Sequence, residues 1–350
     1  MKADGSSQSR PRIDLKPLAR FVRRVSYCTR IAPWPFRVHL DVTDRCNSRC
    51  PTCSKWKTTD PGPELTADQW RPIFARFRGR VVSRRVVIGG GEPLVRPDIL
   101  DIIADLKAAG LHVILITNGL RLDEETLDHL EAAGLDNLMV SLNSLRPEVH
   151  DATRGVPGGH RRIIDVLPAL RDRRFTTTLA SIVLRENLEE LPGIVDLAER
   201  SDLAGVIFQV LVSQEVHHAF GAGQGPVIDD DWFERDPQWI RDGDALDRVV
   251  DRLIAMKRAG APIANPTAQL RWFRTYYRRP RDVTRIPCLA GVTSMCIDPY
   301  GRVRLCYCFP PVGDLTAADP IAVWRSREAR AVRRAMRRCT LTCRLQNHHF

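Results

Sequence analysis

Asp44-Arg45-Cys46-Asn47-Ser48-Arg49-Cys50-Pro51-Thr52-Cys53 puts three cysteines on one short stretch, with three and then two residues between them. With ten cysteines in 350 residues, chance yields such a triple only about 0.01 times per chain, so the spacing calls for a chemical reason. Three soft thiolates on one loop suit a zinc or an iron–sulfur site. A structural zinc wants a fourth ligand nearby, and the nearest candidate, His39, lies inside the preceding apolar run. A [4Fe–4S] cluster held by three thiolates keeps one iron open for a small molecule. A second stretch, Gly89-Gly90-Gly91-Glu92-Pro93, closes the next apolar run. Its glycines let a strand end present bare carbonyls at close range, and Pro93 fixes the turn that follows.

Outward from these stretches, short β-branched runs alternate with segments of helical period, as in a chain of βα units. The expected strands are Phe36–Val42, Arg85–Ile88, His112–Ile116, Asn137–Leu142, Thr176–Val183 and Val206–Val212. The expected helices are Thr66–Phe77, Asp98–Ala109, Asp123–Ala133, His160–Arg171 and Leu188–Ala198. Thr66 and Asp123 stand where N-caps belong, and Gly110 and Gly134 where a left-handed C-terminal cap is wanted. Six units make an α/β fold, expected as a partial (β/α)6 barrel, although the same alternation fits a doubly wound open sheet. Both architectures place chemistry at the C-terminal ends of strands. The cysteine triple, the glycines, Thr117-Asn118-Gly119 and Ser141-Leu142-Asn143-Ser144 all fall at such ends.

With 43% hydrophobic residues the chain can bury one large core or two moderate ones, which excludes wholesale disorder. The 53 Lys and Arg against 42 Asp and Glu leave a net charge of +11, but the excess is spread along the chain and names no partner. No apolar run is long enough to span a bilayer, and the Arg-rich residues 1–30 lack the apolar core of a secretory signal. A soluble, cytoplasmic protein without a membrane partner is expected. The cysteines are too sparse for a disulfide scaffold and fall into two clusters, which in a reducing compartment points to metal. Cys28 stands alone and reads as a buried or free thiol.

The expected divisions are a basic tail and lead-in over 1–35, the barrel over 36–212, a connector over 213–286 with a helix at Ala245–Arg258, and a cluster-binding extension over 287–350. In the connector, Ser213–His218 reads as a solvated loop at the mouth of the barrel, with an acid–base or substrate contact there as the alternative. Arg271–Arg279 mixes basic and aromatic residues as a nucleic-acid surface does, and reads equally well as a helix packing its aromatics on the barrel. Nucleic acid is not the expected partner.

Cys46-x3-Cys50-x2-Cys53 after the first strand, with Gly90-Gly91-Glu92-Pro93 ending the second, resembles the radical S-adenosylmethionine (SAM) superfamily over about Phe36 to Val212. The resemblance implies a [4Fe–4S] cluster on Cys46, Cys50 and Cys53, with SAM on its open iron. It gives the backbone of Gly90, Gly91 and Glu92 to the methionine amino group, and Thr117 and Ser141 to the SAM carboxylate or ribose. Arg154 becomes a carboxylate contact, for which its planar donor fork is suited. The common pattern has Ser-Leu-Asp-Gly where this chain reads Ser141-Leu142-Asn143-Ser144, and Asn143 reads equally well as a turn former.

Cys288, twelve residues, Gly301, four residues and Cys306 resemble the opening of the SPASM and twitch auxiliary-cluster domains, and Gly313-Asp314-Leu315 and Trp324-Arg325-Ser326 fit the same resemblance. A full SPASM domain has seven cysteines, whereas this region has six and lacks the central Cys-x2-Cys-x5-Cys run. The resemblance therefore implies one auxiliary [4Fe–4S] cluster on Cys288, Cys306, Cys339 and Cys343. Cys296 or Cys308 remains able to replace one of the four, and a zinc ribbon is the alternative.

The implied function is reductive cleavage of SAM to a 5′-deoxyadenosyl radical that takes a hydrogen atom from a peptide or small natural product. The auxiliary cluster would support oxidation or cross-linking, and electrons would come from a donor such as flavodoxin or ferredoxin. A redox-neutral radical epimerase or rearrangement enzyme, and a non-catalytic iron–sulfur or zinc protein, are the alternatives.

Overall fold

The computed structural model describes residues 34–57, 62–217, 229–285 and 288–342. Six parallel strands form the body of the fold: β1 (Arg37–Thr43), β2 (Arg85–Gly90), β3 (His112–Thr117), β4 (Asn137–Ser141), β5 (Thr176–Val183) and β6 (Gly205–Val210). The helices between them are α1 (Ala67–Ala75), α2 (Ile99–Ala108), α3 (Glu124–Ala132), α4 (Pro147–Arg154), α5 (Gly159–Val166) and α6 (Leu191–Arg200). The expected caps are in place. Thr66 and Gln69 form a capping box on α1, the Asp123 side chain accepts from Thr126 N at 2.8 Å, and Gly110 and Gly134 take positive φ just past their helices.

The strand order runs β6-β5-β4-β3-β2-β1 without reversal. A doubly wound sheet reverses its order at a switch point, so this is the partial (β/α)6 barrel. Curling is also evident from a central cavity touched by all six strands, through His39, Val87, Ile116, Ser141, Ala180 and Gln209. Val42, Ile88, Leu115, Val140 and Phe208 fill the core of the sheet.

Both ends of the sheet are covered. Beyond β6, Val206 N donates to Pro262 O and Ala264 N to Val206 O, both at 2.8 Å. The buried Asn265 side chain then imitates a strand, accepting from Phe208 N at 2.7 Å and donating to Phe208 O at 2.9 Å. Asn265→Ala strips both partners from a buried backbone and is expected to cost about 2–3 kcal/mol in urea unfolding. Helix α8 (Thr267–Arg278), which follows α7 (Gly243–Arg258), buries Leu270, Phe273, Tyr276 and Tyr277. Tyr277 Oη donates to Val183 O at 2.5 Å and accepts from Leu211 N at 2.9 Å. The basic aromatic segment is thus a packing helix.

At the other end, the C-terminal region continues the barrel sheet. Strand β7 (Ser294–Ile297) pairs in parallel with β1, and β8 (Arg302–Arg304) and β9 (Gly313–Asp314) follow antiparallel. The Arg76 guanidinium, at the end of α1, donates to Leu315 O at 2.6 Å and Ala318 O at 3.0 Å. Helix α9 (Arg327–Met336) packs Met336 and Ala329 into the same core as Trp324. No helix among the described residues is long and apolar enough to cross a membrane. Cys28 and Cys343 lie outside the described residues.

Candidate functional site

The loop after β1 is held by contacts that only glycine permits. Gly91 N donates to Thr43 O at 2.7 Å and Glu92 N to Arg45 O at 2.9 Å, which zips the end of β2 onto the loop. A Cβ on Gly91 would stand 2.0 Å from Arg45 O. Gly155, at φ +64°, is equally tight on the far side, where its Cβ would stand 2.3 Å from Arg49 O. There the Arg154 carbonyl accepts from Arg49 N at 3.2 Å and from the Cys50 thiol at 3.5 Å. From β3, Asn118 Nδ2 donates to Asn47 Oδ1 and Ser48 Oγ at 2.7 and 2.8 Å. From the β6 end, Gln214 holds Ser54 and Lys57, each at 3.1 Å.

So clamped, Cys46, Cys50 and Cys53 line a cavity of about 260 Å3 together with Gly90, Gly91, Ser141 and Arg154. Glu92 and Thr117 stand behind this wall. The Glu92 carboxylate accepts from Thr117 Oγ1 at 2.8 Å, Asn118 N at 2.7 Å and Leu94 N at 3.1 Å, so their side chains tie the ends of β2 and β3 together. Asn143 is a tie as well. Its amide reaches Thr153 Oγ1 at 3.1 Å and accepts from Ile182 N at 3.2 Å.

None of the eight described cysteines is in a disulfide. Burial pushes the Cys46 thiol up to about 12, with Glu92, Cys50 and Cys53 adding to the rise, so the three sulfurs feel one another. The three thiols stand round one cavity. Three soft donors lining one opening suit an iron–sulfur cluster. Arg154 Nε is buried without a hydrogen-bond partner at the cavity, which suits a carboxylate ligand.

Beneath the cysteines lies a polar network that the sequence did not reveal. Lys55 Nζ, fully buried, donates to Asp41 Oδ2 at 2.9 Å and Asp44 Oδ1 at 3.0 Å. Burial alone would lower the Lys55 pKa, but the two carboxylates outweigh it and raise it. Burial raises Asp41, with Lys55 opposing. Tyr300 Oη donates to Asp44 at 3.2 Å and Tyr307 Oη to Asp41 at 3.4 Å. The C-terminal region thus reaches the barrel interior, where Tyr307 lines the cavity. Cys296 pairs in register with the cavity-lining His39, and cross-strand partners share a face. Burial raises its thiol well above the usual range, and Cys306 adds to the rise. The one clue in the sequence was Asp41, a charge inside an apolar strand.

Residues 40–198 match the model of the Radical SAM superfamily, and residues 288–344 match SPASM, an iron-sulfur cluster-binding domain. An AdoMet-dependent heme synthase of Methanosarcina barkeri is 33% identical over 177 residues, 50% of either chain. A PqqA peptide cyclase of Rhodopseudomonas palustris is 32% identical over 165 residues, 47% of this chain and 44% of that one. The chain therefore spans about half the length of the curated relatives it matches. Among solved structures, Streptococcus suis SuiB bound to S-adenosylmethionine superposes with a TM-score of 0.65 at 14% identity, over 95% of this chain and 74% of that one. Native anSMEcpe with bound AdoMet gives 0.61 at 11%, over 84% and 82%. These two likenesses show the fold.

Proposed function

From a chain that carries a radical SAM domain and a SPASM domain, and with them a SAM-linked [4Fe–4S] cluster and auxiliary iron–sulfur, we propose a radical tailoring enzyme acting on a peptide. The observation that carries this reading is one cavity walled by Cys46, Cys50, Cys53, the Gly89–Gly91 strand end, Ser141 and Arg154, and reached from the C-terminal region by Tyr307. The peptide cyclases among the relatives support a peptide as the substrate. When bound, the cluster and SAM supply a 5′-deoxyadenosyl radical able to remove a hydrogen atom from an unactivated carbon, chemistry beyond any side chain.

What the chain's own residues do is bind, orient and exclude water. Cys46, Cys50 and Cys53 would hold the cluster on a loop fixed from three sides. The carbonyls at the Gly90–Gly91 end would receive the SAM amino group, Ser141 a ribose or carboxylate oxygen, and the Arg154 guanidinium the carboxylate. Trp56, whose Nε1 donates to Cys50 O at 2.9 Å, walls the cavity against solvent. Cys288, Cys306, Cys339 and Cys343 would hold one auxiliary cluster, and a flavodoxin or ferredoxin would deliver electrons.

Arg154→Gln is expected to weaken SAM roughly 30-fold in equilibrium dialysis, because it removes a charged planar donor from a carboxylate. The test of the oxidative reading is Cys306→Ala. With substrate, this variant should still form 5′-deoxyadenosine while yielding no product; full product formation would favour a redox-neutral outcome instead.

A further inference from the structure

A second cavity, of about 730 Å3, opens beside the cysteine loop between α4 and residues 229–238. It shares walls with the first. Pro51 lies on the cysteine loop, Thr153 precedes Arg154, and Gln214 is the residue that holds Ser54 and Lys57. Much of its lining is apolar, from Pro51, Val149, Ala152, Trp232 and Pro237. Among the described residues its charged lining is almost all acidic: Glu148, Glu186, Glu215, Asp229 and Asp236 stand with one cation, Arg235, which Asp229 already holds.

Three features mark this cavity as awaiting positive charge. Among the described residues, Glu148, Glu215 and Asp236 form no ion pair. Glu186 pairs through Oε1 with Arg185 at 2.8 Å, while its Oε2 is buried without a hydrogen-bond partner and stays open to a further donor. Burial raises Asp236, and the Glu186 charge adds to the rise. A chain of net charge +11 repels cationic ligands at large, so an acidic cavity next to the reaction site both steers and selects.

We propose that this cavity holds the substrate peptide by a Lys- or Arg-bearing stretch, making the enzyme selective for cationic peptides. The inference rests on the peptide reading above and adds the charge class. The long aliphatic stem of such a residue lies along the apolar wall while its charged head meets the carboxylates.

The test is fluorescence anisotropy on the full chain with two short dye-labelled peptides, one of Lys, Gly and Ala and one of Glu, Gly and Ala. The Lys peptide should bind and weaken as salt rises, and the Glu peptide should not bind. Glu148→Gln/Glu215→Gln/Asp236→Asn should weaken the Lys peptide roughly 30-fold while SAM retention is unchanged. Glu148→Lys alone, an exposed change on α4, should weaken it in the same direction. Equal binding of both peptides, or an unchanged affinity in the variants, overturns the proposal. So does binding gained only on removing residues 1–33, whose eight Lys and Arg would then be the occupant. Binding requires neither cluster nor radical, so a failed radical reading would show separately, as absent 5′-deoxyadenosine.

Discussion

Lys55→Met is expected to destabilise the protein by about 3–5 kcal/mol, because it removes the ammonium that two buried carboxylates share and leaves their charges behind. Asp41 and Asp44 are 5% and 1% exposed, so water cannot take the place of the ammonium. Relief by protonation gives the pH dependence its sign. Burial already raises Asp41, and a carboxyl whose folded pKa lies above its unfolded value adds stability below the unfolded pKa and loses it as pH rises through the folded one. The deficit of Lys55→Met should therefore be larger at pH 8 than at pH 5. Urea unfolding at the two pH values checks this, and Lys55→Met/Asp41→Asn should recover part of the loss. An unchanged midpoint would mean that the pair is solvated in solution.

Gly91→Ala should remove the barrel cluster while leaving the fold in place. The added Cβ would fall 2.0 Å from Arg45 O, and a backbone oxygen cannot turn aside as a flexible side chain does. The cysteine loop must move, at a cost of about 3 kcal/mol. Iron per chain is expected to drop by about four with the far-ultraviolet circular dichroism retained. Gly89→Ala is the matched control. Its Cβ would meet nothing nearer than Asp41 Oδ1 at 3.9 Å, so it should keep its iron. Equal iron content in the two variants would refute the clamp.

The contrast between neighbouring glycines also marks what a sequence can carry. The six barrel strands and their helix caps were legible because each rests on local pattern: β-branched runs, a Thr or Asp before a helix, a Gly after it. The cysteine spacing and the strand-ending glycines were legible for the same reason. Lys55 was not, since its partners Asp41 and Asp44 are brought to it by the fold, and nothing in Ser54-Lys55-Trp56-Lys57 distinguishes one lysine from the other. Strands β7 to β9 have four, three and two residues, too short for a period to register, and they exist because β1 offers an edge to pair with. Tyr307 reaches Asp41 across 266 residues of sequence. Helix α4 was hidden by its mixed composition, although Gly155, in the left-handed conformation at its end, was a stop signal of the ordinary kind.

The central claim is that Cys46, Cys50 and Cys53 hold a cluster that works on SAM beside a second cluster in the C-terminal region. Its most direct test is anaerobic reconstitution of the wild type and of Cys46→Ala, with iron counted per chain and 5′-deoxyadenosine assayed after dithionite and SAM are added. The account predicts about eight irons and 5′-deoxyadenosine from the wild type, against about four irons and none from the variant. No 5′-deoxyadenosine from the wild type, or as much from Cys46→Ala, would contradict it.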